Sequence, residues 1–438
     1  MKSKELFKEF YQYVALNISG MLGLSCYILA DTFFVSNGLG ANGLTALNLA
    51  IPIYSFIHGS GLMLGMGGAI KYSIFRGQKK YQNANRTFTN VIYLTVILSI
   101  SFMLMGAFLS ENLTHLLRAD NEVFSMTKTY LQIILLFAPF FMMNDVLICF
   151  VRNDCNPRLA MAAMLIGSLS NVILDYILIF PLQMGILGAV LATGLAPIIS
   201  MCIMSKHWIG KQNNFHLLKT KPSRELTRNT ILLGIPSFIT EIASGIVMIV
   251  FNYIILRLRG NIGVAAYGIV ANLSLVVTSI YTGIAQGIQP LTSRAYGYGK
   301  NEEIKRILKY AIATMLTLSS CIYFTFLLIA NPIVEIFNSE RNAQLQQIAA
   351  AGLILYFIAI PFVGFNIILS VHFTSTEKAL PAQIVSLSRG FFIVIPMTFF
   401  LSYILGMTGV WLSYPITEFT VFVIGMILYK RTCKKGKN

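Results

Sequence analysis

Twelve apolar stretches, each long enough to cross a bilayer, leave this chain few ways to fold. A helical crossing of the hydrocarbon takes about 20 apolar residues. We read such spans at 14–36, 44–70, 90–110, 129–150, 160–181, 183–205, 230–256, 262–290, 308–331, 349–373, 382–404 and 408–429. In lipid every backbone N–H and C=O must find its partner inside the protein, so the spans are expected to be helices. Proline interrupts many of them, at Pro52, Pro139, Pro197, Pro236, Pro361, Pro396 and Pro415. Such breaks survive at depth only where neighbours or a cavity satisfy the freed backbone groups. The expected fold is an all-α polytopic membrane protein.

The spans fall into two sets of six. Gly61, Gly65 and Gly77 reappear 222 residues later as Gly283, Gly287 and Gly299. Gly43 matches Gly263 at 220, and Gly185 and Gly188 match Gly406 and Gly409 at 221. A duplicated six-helix unit is a common construction of transporters, with the substrate path between the halves. We therefore expect two pseudo-symmetric lobes, residues 1–205 and 230–438, joined by the polar stretch 206–229. The copies are unequal. Asp31 and Asp175 lie within spans of the first half, where the second half has Tyr253 and Pro396 near the matching places. That inequality points to the first half for handling a cation.

Charge gives the orientation. Only 11% of residues are charged, against about 25% in soluble proteins. With the N-terminus taken as cytoplasmic, 27 of the 33 Lys and Arg fall on the inner side, 5 on the outer side, and Arg389 lies within a span. This positive-inside pattern puts both termini in the cytoplasm. Two halves of six spans then run parallel, related by an axis along the membrane normal. The net charge of +16 sits at span ends, not on a nucleic-acid-binding stripe. The opening MKSKELFKEF has no apolar run ending in a cleavage site, so no removable signal peptide is expected. The six cysteines show no paired spacing and no CxxC, and the four that lie in apolar spans read as small core residues. No resident cofactor is expected.

Ionisable groups at membrane depth are costly and mark function by default. The set is short: Asp31, Asp145, Asp175, Glu241, Arg389 and Glu418, with His58 and His372. Asn171 and Asp175 are four apart and share a helix face. At 1.5 Å per residue, Asp31 lies about 8 Å, Asp175 about 9 Å, and Asn171 and Thr193 about 15 Å from the outer ends of their spans. The four side chains offer carboxylate, amide and hydroxyl oxygens at similar depth. Hard cations such as Na⁺ take such oxygens, and two close carboxylates can instead share a proton. The competing reading is a polar network that only locks helices together. Glu241 follows the Gly234–Pro236 break, and Glu418 lies on the last span. Each is a candidate for a substrate cavity or secondary coupling, against the alternative of a packed, hydrogen-bonded acid. Asp145 is expected to face the membrane interface or to pair with Arg152. Arg389 is expected to pair with Glu377 or lipid headgroups. His58 and His372 read as packing residues.

ADTFFVSNGLG (30–40), the glycine-rich end of span 2 with KYSIFRGQKK, RNDCNPR (152–158), SNVILDYILIF (170–180), GILGAVLATG (185–194) and GIAQGIQPLTSRAYGYG (283–299) resemble the multidrug and toxic compound extrusion (MATE) family of antiporters over nearly the whole chain. The likeness is to its bacterial DinF-like and MepA-like branch. It implies a Na⁺ or proton site formed by Asp31, Asn171, Asp175 and Thr193. The NorM-like branch carries an acidic residue on span 10. Here no Asp or Glu lies between Glu340 and Glu377, and span 10 offers Asn366 as the remaining candidate.

The expected function is a Na⁺- or H⁺-coupled antiporter, acting as a monomer in a bacterial plasma membrane, that exports amphipathic, often cationic drugs by alternating access. The absence of GxxxxGK[ST] points to an ion gradient as the energy source. A lipid-linked sugar flippase of the same superfamily is the alternative, but its cavity must hold phosphate, and here the interior acids outnumber Arg389. No Ser/His/Asp constellation, HExxH or phosphate loop supports an enzyme.

Overall fold

The computed structural model describes residues 3–338 and 341–435, and among them every regular element is helical. The helices are α1 (Ser3–Gly77), α2 (Tyr81–Leu116), α3 (Asn121–Leu136), α4 (Ala138–Asn153), α5 (Pro157–Ile179), α6 (Gly185–Met204) and the short α7 (Lys206–Ile209). They continue with α8 (Arg224–Gly297), α9 (Asn301–Phe337), α10 (Ala343–Tyr356), α11 (Ile360–Ser375), α12 (Ala379–Leu387) and α13 (Val394–Lys435). A 3₁₀ turn at Phe357–Ala359 joins α10 to α11, and a π turn at Ser388–Phe392 joins α12 toward α13.

Eight helical stretches among the described residues are long and apolar enough to cross a membrane, and the pair α3–α4, bent by 48°, makes a ninth. Pro139 in the first turn of α4 explains the bend, because proline cannot continue the hydrogen-bond ladder of α3. Three of the nine are interrupted at a glycine with left-handed φ: Gly40 (φ 66°), Gly260 (62°) and Gly406 (57°). A side chain at such an angle is strained, so glycine marks the break. Each break divides one stretch in two, giving the twelve expected passages.

The same angles fix the register of the repeat. Gly40 and Gly260 are 220 residues apart, as are Lys79 (φ 59°) and Gly299 (φ 69°) in the turns that follow α1 and α8. Gly185 (φ 61°) and Gly406 are 221 apart. Structurally, then, Gly77 answers to Gly297 and Gly67 to Gly287. This corrects the 222-residue matching of Gly61, Gly65 and Gly77, which is displaced by two. The stretch is so rich in glycine that several registers bring glycines together. The corrected register makes Phe251, not Tyr253, the counterpart of Asp31. Phe251 is fully buried and stacks on Tyr267 at 5.4 Å, whereas Tyr253 is exposed beneath Arg257.

The chain packs as two compact units. The first is Ala15–Ile242 with Pro290–Asn301; the second is Met1–Val14, Ala243–Gln289 and Glu302–Asn438, as far as these are described. Both units draw on α1 and α8. In the first unit, a Cβ on Gly67 would run into the Thr230 carbonyl, and one on Gly234 into that of Met63. Only glycine lets these backbones meet, and the contact binds the start of α8 into the first unit. In the second unit, Gly287 gives Val14 the equivalent close approach.

The RNDCNPR stretch fastens the linker. Buried Asp154 accepts the Tyr72 hydroxyl at 2.7 Å and the Asn214 backbone N–H at 2.7 Å, and faces His207 Nε2 at 2.9 Å. Phe215 packs among Tyr72, Phe88, Phe150 and Trp208. Asn156 caps α5 through Leu159 N–H and donates to Gln212. Buried Arg152 donates to Asn17 Oδ1 at 3.0 Å. Large exposed apolar side chains such as Phe108, Leu328 and Tyr403 suit a lipid-facing surface.

Candidate functional site

Glycines bring the site's helices together. On α1, Gly20 and Gly23 face Met164 and Leu165 of α5, and Gly38 faces Ile179 at its far end. Gly167 on α5 lies against Ala196 and Ser200 of α6, and Gly188 on α6 against Leu178. With α1 and α6 both drawn onto α5, Asp31, Asn171, Asp175 and Thr193 converge inside the first unit. Asn171 and Asp175 are fully buried, and Asp31 and Thr193 are 8% and 7% exposed.

Asp31 and Asp175 are within hydrogen-bonding contact through their carboxyl groups. Asn171, with its amide turned to satisfy both neighbours, donates to Asp175 Oδ2 at 3.0 Å and accepts the Thr193 backbone N–H at 3.3 Å. Thr193 donates its hydroxyl to Ala189 O at 3.1 Å, one turn back on α6. The Oδ1 atoms of Asp31 and Asp175 are both buried without a hydrogen-bond partner. Buried carboxylate oxygens left in that state carry a desolvation cost that a proton or a bound cation removes. The donor set fits a hard cation in type: two carboxylates, an amide oxygen and a hydroxyl. Among the described residues no group of three or more His, Cys, Asp and Glu is placed to hold a metal ion.

Sequence reading missed Tyr130 of α3, which is buried and whose hydroxyl contacts Thr193 while its ring sits in the field of both aspartates. It also missed the Tyr27–Tyr54 hydroxyl contact at 3.4 Å. Among 20 tyrosines neither carried a signal.

The remaining candidates separate into two places. Glu241 lies in the first unit beside His58 and Asp145. His58 Nδ1 is 2.9 Å from Asp145 Oδ2, so Asp145 pairs with His58, and His58 is not merely a packing residue. No local pattern signals this pairing, because the partners are 87 residues apart and meet only through tertiary packing. Asn366 and Glu418 do come together, in the second unit. Asn366 Nδ2 donates to Glu418 Oε2 at 2.8 Å and to Glu418 O at 2.9 Å. Arg389 Nε donates to Glu418 Oε1 at 2.5 Å. This corrects the expected Arg389 partners, Glu377 or headgroups. Arg389 belongs to the π turn at Ser388–Phe392, and its guanidinium reaches a fully buried acid that would otherwise be uncompensated. Tyr414 contacts Arg389 and stacks on Tyr356 at 4.3 Å. In the corrected register Tyr414 stands where the first half has Thr193, and Pro396 where it has Asp175. Aromatic rings and one neutralised ion pair thus replace the acid pair. A cavity of about 10 Å³ beside Tyr281, Tyr356 and Tyr414 is water-sized. His372 is buried with Nδ1 unpartnered, near Tyr429.

The MatE family profile matches residues 18–177 and 236–400. The chain is 25% identical to the multidrug export protein MepA of Staphylococcus saprophyticus, over 98% of this chain and 94% of that protein. It is 24% identical to MepA of Staphylococcus aureus, over 97% and 93% of the two chains. Among solved structures, a multidrug resistance MATE family transporter of the MOP superfamily, in its outward-facing conformation, superposes with a TM-score of 0.93 at 22% identity, covering 100% of this chain and 99% of that one.

Proposed function

The chain belongs to the MatE family, and from that premise we propose that it is a cation-coupled exporter of amphipathic, often cationic small molecules. The observation that carries the reading is the buried contact between Asp31 and Asp175, with Asn171 and Thr193 around it. Two carboxyl groups in hydrogen-bonding contact hold a proton between them, since two carboxylates would repel. A proton entering from outside fills the pair, and loss of that proton opens the contact. Na⁺ is the second candidate ion, held by the oxygens of the same four side chains. Either ion is coupled to cargo by favouring one state of the unit over another. Cargo and ion need not touch.

The setting that goes with this reading is a bacterial plasma membrane, with both termini cytoplasmic, as the 27-to-5 distribution of Lys and Arg supports. Cargo is drawn from the cytoplasm and released outside by a monomer. The flippase alternative needs a free cation to hold phosphate. Arg389 is the one basic residue read within a span, and Glu418 neutralises it.

The test is ethidium efflux from vesicles under an imposed pH gradient and then an imposed Na⁺ gradient. The gradient that drives efflux names the ion, and Asp31→Asn and Asp175→Asn should each abolish the driven component. A well-expressed protein that moves no ethidium under either gradient would overturn the reading.

A further inference from the structure

The linker that follows α7 roofs a cavity of about 410 Å³, and every residue lining it belongs to Ala15–Ile242 of the first unit. The surface of α2 explains how the roof is held. Asn85 and Thr89 are one turn apart on α2 and accept the backbone N–H groups of His216 at 3.1 Å and Leu218 at 3.0 Å. Asn90 accepts that of Ser223 at 2.9 Å. The non-helical segment thus finds its backbone partners along one polar edge of a helix. Beside that edge the lining is apolar: Phe88 and Ile92 of α2, Met143 of α4, Trp208 of α7, and Phe215 and Leu217 of the linker.

The polar side chains at the lining, Asn213 and His216, are engaged within the linker. Asn213 Nδ2 donates to Phe215 O at 3.1 Å and lies 3.3 Å from His216 Nδ1. Water held in a cavity needs about two to four polar partners, and this lining offers few. The volume falls within the range of about 300–1,000 Å³ that small-ligand sites occupy. The cavity also leads onto an exposed apolar flank. Ile92 begins an i, i+4 row on α2 that continues through Val96, Ile100 and Leu104, all three exposed. That row rises about 18 Å, slightly more than half of a hydrocarbon core about 30 Å thick. On α4, exposed Phe140 stands one turn before Met143.

The rim is basic. Arg86, Lys206, Lys211, Lys219, Lys221 and Arg224 are all exposed and flank the lining residues in sequence. No Asp or Glu lies between Asp175 and Glu225. Asp154, the acid that reaches the linker, is engaged by Tyr72, His207 and Asn214. An apolar slot that runs onto a lipid-facing row, with cations at its head, matches a phosphate ester that carries an acyl chain.

We propose that the linker cavity is a site for an anionic phospholipid of the inner leaflet. One acyl chain lies beside Trp208 and follows the Ile92 row, and the phosphate sits among the linker's lysines. Basic segments at the cytoplasmic face attract anionic headgroups, and tryptophan suits that interface. The choice of leaflet rests on the orientation proposed above, whereas the site itself does not. Occupancy covers Leu217 and Trp208 with hydrocarbon and clamps the linker to α2 and α4.

The test uses the full chain in detergent, stripped of lipid. The chain has two tryptophans. Trp208 lines the cavity, and Trp411 is 2% exposed and lies in the second unit, so quenching by a phospholipid brominated along its acyl chain reads the cavity. Brominated phosphatidylglycerol should quench saturably at a concentration about tenfold or more below that of brominated phosphatidylcholine, and the gap should shrink as salt is raised. Trp208→Phe should remove the quenched component. Lys219→Gln with Lys221→Gln and Arg224→Gln, all at exposed positions, should bring phosphatidylglycerol to the phosphatidylcholine value with the melting temperature in detergent unchanged. Met143→Phe fills the cavity and should weaken quenching by both lipids. Glycerol phosphate, a headgroup without chains, should displace neither. Equal quenching by the two lipids, displacement by glycerol phosphate, or a wild-type preference in the triple variant would overturn the site. A doubling of mass when lipid is stripped would overturn it too, since a second copy would then be the occupant. The exporter reading is decided separately, by gradient-driven efflux.

Discussion

Arg389 Nε donates to Glu418 Oε1 at 2.5 Å, so the most deeply buried acid of the second unit is already compensated within its own fold. Asn366 takes the other carboxylate oxygen. Asn366 and Glu418, read separately as candidates for a secondary site, are thereby tied to one another and to Arg389.

Removing one partner of that pair strands the other. Arg389→Ala is expected to lower stability by about 3–5 kcal/mol, while Arg389→Met with Glu418→Leu should cost far less or nothing. Thermal unfolding in detergent gives the comparison. Equal losses in the single and double variants would contradict a mutually compensated pair.

Asp31 and Asp175 act as one group if they share a proton. Asp31→Asn and Asp175→Asn should then be non-additive: the double variant moves ethidium no more slowly than either single variant, because one substitution already removes the shared site. Gradient-driven efflux, normalised to protein in the membrane, measures it. A double variant about tenfold slower than both singles would mean that each acid works alone.

Close backbone contacts predict which glycines tolerate alanine. Gly67→Ala and Gly234→Ala force a methyl onto the Thr230 and Met63 carbonyls and should cost about 3 kcal/mol or more. Gly245→Ala meets nothing within 4 Å and should stabilise its helix by about 0.5–1 kcal/mol. Melting temperatures of the three variants, in one detergent, decide this.

The turns after α1 and α8 carry the same left-handed position with different residues. Lys79→Gly should stabilise and Gly299→Ala destabilise, each by about 1 kcal/mol. If the two substitutions shift the melting temperature in the same direction, the repeat register at 220 is wrong.

Asp154 ties the linker to Tyr72, His207 and Asn214. Asp154→Ala should free residues 206–229 and raise their cleavage by trypsin at Lys211, Lys219 and Lys221 about tenfold or more, with the spans still protected. Unchanged cleavage would show that the aromatic packing of Phe215 holds the linker alone.

The membrane class, the twelve passages and the duplication were legible in the residues alone, and Asp31, Asn171, Asp175 and Thr193 stood out there as polar groups at similar depth. The reason is local: bilayer thickness sets apolar length, and an acid inside such a length is too costly to be incidental. Tertiary structure decided who meets whom. His58 finds Asp145, Arg389 finds Glu418 and Tyr130 finds Thr193 across 63 to 87 residues or across 29, distances along the chain at which composition and periodicity say nothing. The repeat register likewise waited for the backbone. Glycines of every role read alike in sequence, and only a positive φ at Gly40, Gly260, Gly185 and Gly406 separates those that turn the chain from those that let helices touch. A glycine's role follows from its angle and its neighbours, and both are properties of the folded chain.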